Sequence, residues 1–77
     1  MRPMEAPVIQ RVVHKIITWR VTHEVNQAEF AGAMREHDCP WHQSTMSRLE
    51  KGGRDINLTE AIAIADILGV TLQELIA

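Results

Sequence analysis

Four polar side chains stand close together near the middle of the chain: Gln43, Ser44, Ser47 and Arg48. On a helix, residues adjacent or one turn apart in this way share a face. Their chemistry is hydrogen bonding to flat, edge-presenting partners. Gln pairs two-handed with adenine, Arg with guanine, and Ser with several bases. Met46 and Leu49, three apart, would form the buried side of the same helix. By periodicity alone the polar set reads more readily as an ordinary solvated helix face. A second cluster is His37, Cys39 and His42. These are metal-ligand types, and a metal-sensing regulator would follow from them. The H-x-C-x-x-H spacing is not a strong zinc pattern, however, and no fourth ligand stands out. Pro40 and Trp41 point to a packed turn instead. No Ser-His-acid set, phosphate-cradling glycine loop or paired-carboxylate motif is present. A nucleophilic Cys39 would need a base and a pocket, for which this chain has little volume. The sequence therefore predicts no enzyme, no metal and no cofactor.

The elements that must position these residues are helical. Ile9, Val12, Val13 and Ile16 fall at helical spacing, with polar Arg11, His14, Lys15 and Thr18 between them. That outweighs the β-branched content of the segment. Three later helix starts share one device. Asn26 precedes Glu29, Asn57 precedes Glu60 and Thr71 precedes Glu74, each by three residues. The first residue of each pair caps an orphan N–H, and the Glu reaches back or favours the positive helix end. Gly52-Gly53 and Gly69 stand where helix stops are wanted. The spacing predicts helices over 8–23, 27–36, 43–51, 58–68 and 72–76. Pro40 breaks the chain between the second and third. The expected core includes Ile16, Trp19, Phe30, Met34, Met46, Leu49, Leu58, Ile62 and Leu75. The fold class is all-α, with residues 1–7 as a flexible extension and 8–77 as one compact five-helix domain.

Composition sets outer limits. The chain has 77 residues, 45% of them hydrophobic, and a formal net charge of −2. A domain of this size buries only roughly 60% of its unfolded surface and is marginally stable. The charge excludes a generic basic, tail-like binder, but a specific reader needs only one positive face. Basic residues do gather: Arg2, Arg11, Lys15 and Arg20 near the start, then Arg48, Lys51 and Arg54. Residues 55–77 carry Asp55, Glu60, Asp66 and Glu74 with no Lys or Arg. A single cysteine suits a reducing compartment, and no apolar run approaches the ~20 residues of a membrane span.

In this order and at these spacings the motifs resemble a known family. Asn26-Gln27-Ala28-Glu29-Phe30-Ala31 is similar to the start of the second helix of phage-repressor-type helix-turn-helix domains, the Cro/C1 or Xre family. Gln43-Ser44-Thr45-Met46-Ser47-Arg48-Leu49-Glu50-Lys51-Gly52 resembles the third, recognition helix with its closing glycine. Leu58 through Leu68-Gly69-Val70 and then Leu72 to Leu75 resemble the fourth and fifth. The resemblance covers about residues 12–77. Three features depart from it. The stretch from Ala31 to Gln43 is longer than in the tightest members. His42 replaces the usual hydroxyl cap. Residues 1–11 extend beyond the minimal domain.

The resemblance implies a sequence-specific duplex-DNA-binding transcriptional regulator, expected to be a repressor of bacterial or phage type. Gln43, Ser44, Ser47 and Arg48 would read bases in the major groove. Gln27, His42, Lys51 and Arg54 would contact phosphates, with Gln27 also bracing Gln43. Arg20 and Glu50 would form a structural ion pair fixing the recognition helix to the first helix. Arg11 and Lys15 could extend the positive face, although a solvated role is favoured for both. Expected partners are double-stranded DNA and a second copy, paired weakly in solution. The expected location is the cytoplasm, at the nucleoid, with no membrane association. A rival reading is an antitoxin-like or anti-regulator module whose acidic fourth and fifth helices bind a partner protein.

Overall fold

The computed structural model describes residues 5–77. Five helices follow one another: α1 (Ala6–Thr22), α2 (Gln27–Glu36), α3 (Gln43–Glu50), α4 (Leu58–Leu68) and α5 (Leu72–Ile76). No strand occurs among the described residues. The helix expected from residue 8 begins two residues earlier. Glu5 is its N-cap, and Pro7 sits in the first turn, where a missing N–H costs nothing. Ala6 and Pro7 are thus helical rather than part of an extension, and residues 1–4 lie outside the described residues.

The three capping boxes form as the sequence predicts. Asn26, Asn57 and Thr71 each accept from the N–H of the Glu three residues on, and each Glu carboxylate accepts from the cap N–H. Helix α3 starts differently. The His42 side chain caps nothing; instead Thr45 Oγ1 accepts from His42 N at 3.1 Å. Thr45 thus takes the part that Glu plays in the other three boxes, and the half that a cap hydroxyl would make is absent.

Four helix ends close with one backbone motif. After α1, Val25 N donates to Arg20 O and Glu24 N to Val21 O. The same pair of bonds recurs from Cys39 and Asp38, from Gly53 and Gly52, and from Val70 and Gly69. The motif needs a left-handed residue, which is Gly52 and Gly69 after α3 and α4 but Glu24 (φ 55°) and Asp38 (φ 63°) after α1 and α2. A side chain there is strained, by about 1 kcal/mol or more. Glu24→Gly relieves that strain at some cost in unfolded-chain entropy. We expect a gain of up to about 1 kcal/mol in a urea melt; a loss of stability would mean that the Glu24 side chain contributes a contact of its own.

One core joins the helices. Helix α2 packs on α3 and α4, α1 on α5, α3 and α4, and α4 on α5. Val12, Ile16, Phe30, Met34, Met46, Leu49, Ile56, Ile64 and Leu75 are fully buried. Trp41 and Cys39, from the turn before α3, join them. Two expected core residues do not. Leu58 is 39% exposed and Ile62 54% exposed, whereas Ala61, Ile64 and Ala65 face inward. Helix α4 is apolar on several sides, so periodicity alone does not choose its buried face. Trp19 is partly buried, stacked on His23 and edge-on to Phe30.

Lys15 and Arg11 are not spare surface cations. Lys15 Nζ donates to the main-chain oxygens of Glu74, Leu75 and Ala77 at 2.6–3.0 Å, and Arg11 reaches Ile76 O at 3.4 Å. Both neutralise the C-terminal end of α5, where carbonyls lack helical partners.

Candidate nucleic-acid interface

The site is built on α2, the turn 37–42 and α3. Because α2 stops at Glu36, the extra length between Ala31 and Gln43 goes into the turn rather than into a longer helix. That turn is ordered by its own side chains. Trp41 is buried, and Arg35 donates to its carbonyl. Helix α3 buries Met46 and Leu49 and turns Gln43, Ser44 and Arg48 outward, with Ser47 half-buried beside them. No ion pair engages Arg48 or Lys51 among the described residues, and both are exposed.

Behind this face runs a continuous hydrogen-bonded chain. Arg20 Nε and Nη2 donate to the two Glu50 oxygens at 2.9 and 2.8 Å. Arg20 Nη1 donates to Val25 O, which fixes the fork against the end of α1. Gln27 Nε2 donates to Glu50 Oε1 at 3.0 Å, and Gln43 Nε2 donates to Gln27 Oε1 at 2.7 Å. The order of donors matters. Glu50 accepts only, so Gln27 must turn its amide nitrogen toward it and its oxygen toward Gln43. Gln43 then keeps its own oxygen and one N–H free, the pair that a two-handed contact with a base edge needs.

Arg54 departs from its expected place. Its guanidinium donates to both Glu60 oxygens, at 3.1 and 2.6 Å, and lies 4.9 Å over the Trp41 ring. Its charge is already balanced by Glu60, and its side chain is only 23% exposed, so it has less to offer a phosphate than Lys51 has. Glu60 is the missed residue of the region. At 7% exposure it is the buried charged side chain of the described core. Burial alone would push its carboxyl up. Hydrogen bonds from Arg54, the Asn57 N–H and Trp41, with the Arg54 charge, outweigh that and hold it below its ordinary value. The capping pair Asn57–Glu60 was visible in the sequence; its link to Trp41 was not.

The His37, Cys39 and His42 cluster is dispersed. Cys39 is buried, and burial pushes its thiol up. His37 bonds Ala33 O through Nδ1 and Asp66 through Nε2, which raises its pKa. His42 is exposed. No group of three or more His, Cys, Asp or Glu among the described residues is arranged to hold a metal ion. No described helix is long and apolar enough to cross a membrane.

A family model described as helix-turn-helix matches residues 16–75, most of the chain. The chain belongs to the Cro/C1-type, or Xre, helix-turn-helix family. No curated protein and no solved structure matches it significantly. Membership makes this a DNA-binding regulatory domain. The matched region takes in α2, the turn and α3, and also the Arg20–Glu50 chain behind them.

Proposed function

We propose that this domain of the Xre family reads duplex DNA sequence-specifically by laying α3 in the major groove. The observation that carries the proposal is the Glu50–Gln27–Gln43 chain. It uses two half-buried polar side chains to orient one exposed amide, Gln43, which a merely solvated helix face has no need of. Gln43, Ser44, Ser47 and Arg48 are the base-reading set. Gln27, His42 and Lys51 contact phosphates, His42 from the positive N-terminal end of α3. Arg54, expected in that set, is assigned to Glu60 instead. Repression is the simplest regulatory outcome, since a domain seated on a promoter excludes polymerase. The setting proposed is bacterial or phage.

Selection of sites from random duplex DNA, followed by footprinting, tests this reading. The salt dependence adds a second arm. Each cationic phosphate contact contributes about 0.9 to the slope of log affinity against log salt. Lys51→Ala is expected to flatten the slope by roughly one unit and to weaken specific and non-specific binding alike. Gln43→Ala lowers specific binding and leaves the slope nearly unchanged, since Gln carries no charge. Arg54→Ala changes the slope little, because Glu60 already neutralises Arg54. A parent domain with no measurable salt slope on its best duplex is not a phosphate-docked reader. The partner-protein alternative then takes first place.

A small module reads few bases, so two copies on one site are proposed, paired weakly in solution. Exposed Ile62 borders a shallow groove with Val70 and Leu72, running from α4 to the start of α5. Ile62→Glu with Leu72→Glu is expected to abolish paired occupancy of a double site while single-site binding persists. Sedimentation showing a tight dimer that survives both changes would put the interface elsewhere.

A further inference from the structure

Among the described residues Glu60 is the buried charged side chain, and helix capping does not explain its surroundings. A capping Glu needs one link, to the cap N–H. Glu29 and Glu74 make that link in α2 and α5 and stay exposed. Glu60 makes it too, from Oε1 to Asn57 N at 3.0 Å. It then accepts three further bonds: Arg54 Nη1 on Oε1, and Trp41 Nε1 at 2.7 Å and Arg54 Nη2 at 2.6 Å on Oε2. Trp41 lies just before α3, and Arg54 lies just after it. The two are also in contact with each other, cation over ring. One carboxylate on α4 therefore gathers both segments that flank the recognition helix.

The packing makes this matter. Helix α3 rests on α2 and α1, and α4 is not among its main packing partners. Its links to α4 are therefore indirect packing through α2 and α1, and these two loops, which alone among the described residues join α3 to α4 by side-chain hydrogen bonds. The turn before α3 is also wide, so slack there would leave the approach of α3 loose. Fully satisfied buried polar groups rigidify what they join, and a buried carboxylate tolerates little displacement of its partners.

We propose that Glu60 is a positioning residue for DNA reading. It clamps Trp41 and Arg54 together and so fixes the tilt of α3 relative to α4. This rests on the reading of α3 as the base-reading helix, so the test has one arm that needs no DNA. Glu60→Gln keeps the side-chain volume and acceptor oxygen but loses the charge that holds Arg54. Residual dipolar couplings report the tilt of α3 against α4 in the free protein. Affinities for the selected site and for a scrambled duplex are measured at a temperature where circular dichroism shows the variant folded.

The expected result is a measurable reorientation of α3. The ratio of specific to scrambled affinity falls by at least about fivefold, as expected when one good base contact is lost. Affinity for the scrambled duplex holds or rises, because Arg54 is released to phosphates. A purely structural role would instead lower both affinities in proportion to the folded fraction. That parallel loss, or an unchanged α3 tilt, overturns the proposal. Should Glu60→Gln fail to fold, Arg54→Gln removes the partner at the rim of the cluster; the same change in α3 tilt and in the specific-to-scrambled ratio is expected, with no rise in scrambled-duplex affinity. If the parent shows no preference among duplexes, the DNA-reading proposal falls by itself. The clamp is then decided by the dipolar couplings alone.

Discussion

Glu50→Ala is expected to remove roughly 3–5 kcal/mol of unfolding free energy, the cost of leaving a largely desolvated charge without its partner. The Arg20 and Glu50 side chains are only 14% and 12% exposed, and the pair is two-pronged at 2.9 and 2.8 Å. With Glu50 gone, the Arg20 guanidinium keeps only Val25 O, and Gln27 loses the acceptor that orients it. A domain of this length has a total stability of the order of 5–10 kcal/mol, so the loss is a large share of it. Glu50→Gln keeps the volume and one acceptor oxygen, and its loss falls between the alanine variant and the parent. Urea melts of both variants check this, read as shifts in midpoint at constant slope. An exposed ion pair of the same type is worth about 0–1 kcal/mol. A Glu50→Ala midpoint within error of the parent would therefore mean that the pair is solvated in solution.

The contrast between this pair and the Arg54–Glu60 pair shows what a sequence reveals. Helix starts were legible because capping is local: Asn26 and Glu29 carry both halves of their own bond. Helix ends were legible only where glycine marks them. Glu24 and Asp38 take the same left-handed conformation with no glycine to signal it, because the bonds that enforce it are main-chain bonds. The Arg20–Glu50 contact came from family resemblance, since the residues stand 30 apart and nothing local pairs them. Resemblance also suggested a phosphate role for Arg54, and there it gave no warning of Trp41. An indole buried under the turn brings a donor to Glu60 and a ring to Arg54, and the usual site of a basic contact becomes internal. Leu58 and Ile62 illustrate a different limit. In a helix as apolar as α4, the buried stripe is chosen by what packs against it. Here small Ala61 and Ala65 allow close approach of neighbouring helices.

Arg48→Ala is expected to cost about 1–3 kcal/mol on the preferred duplex and to relax preference at one base position, if the partner is a guanine. Arg48 is exposed in the second turn of α3, without an ion pair among the described residues, on the face that carries Gln43 and Ser44. Two effects are mixed in that variant, since alanine removes both a charge and a planar fork. Arg48→Lys separates them. Lysine keeps the charge and hence the salt slope, but as a point donor it cannot hold the O6 and N7 edge of guanine two-handed. The lysine variant is thus expected to retain scrambled-duplex affinity within about twofold and to lose discrimination at the same base position as alanine. Gln43→Ala should relax a neighbouring position instead, because the two side chains stand more than one turn apart along α3. Random-site selection with each variant reads these positions directly. Unchanged preference at every position in Arg48→Lys, with a flattened salt slope in Arg48→Ala alone, would move Arg48 from the bases to the phosphates. Gln43, held by Gln27, would then have to carry the discrimination with Ser44 and Ser47.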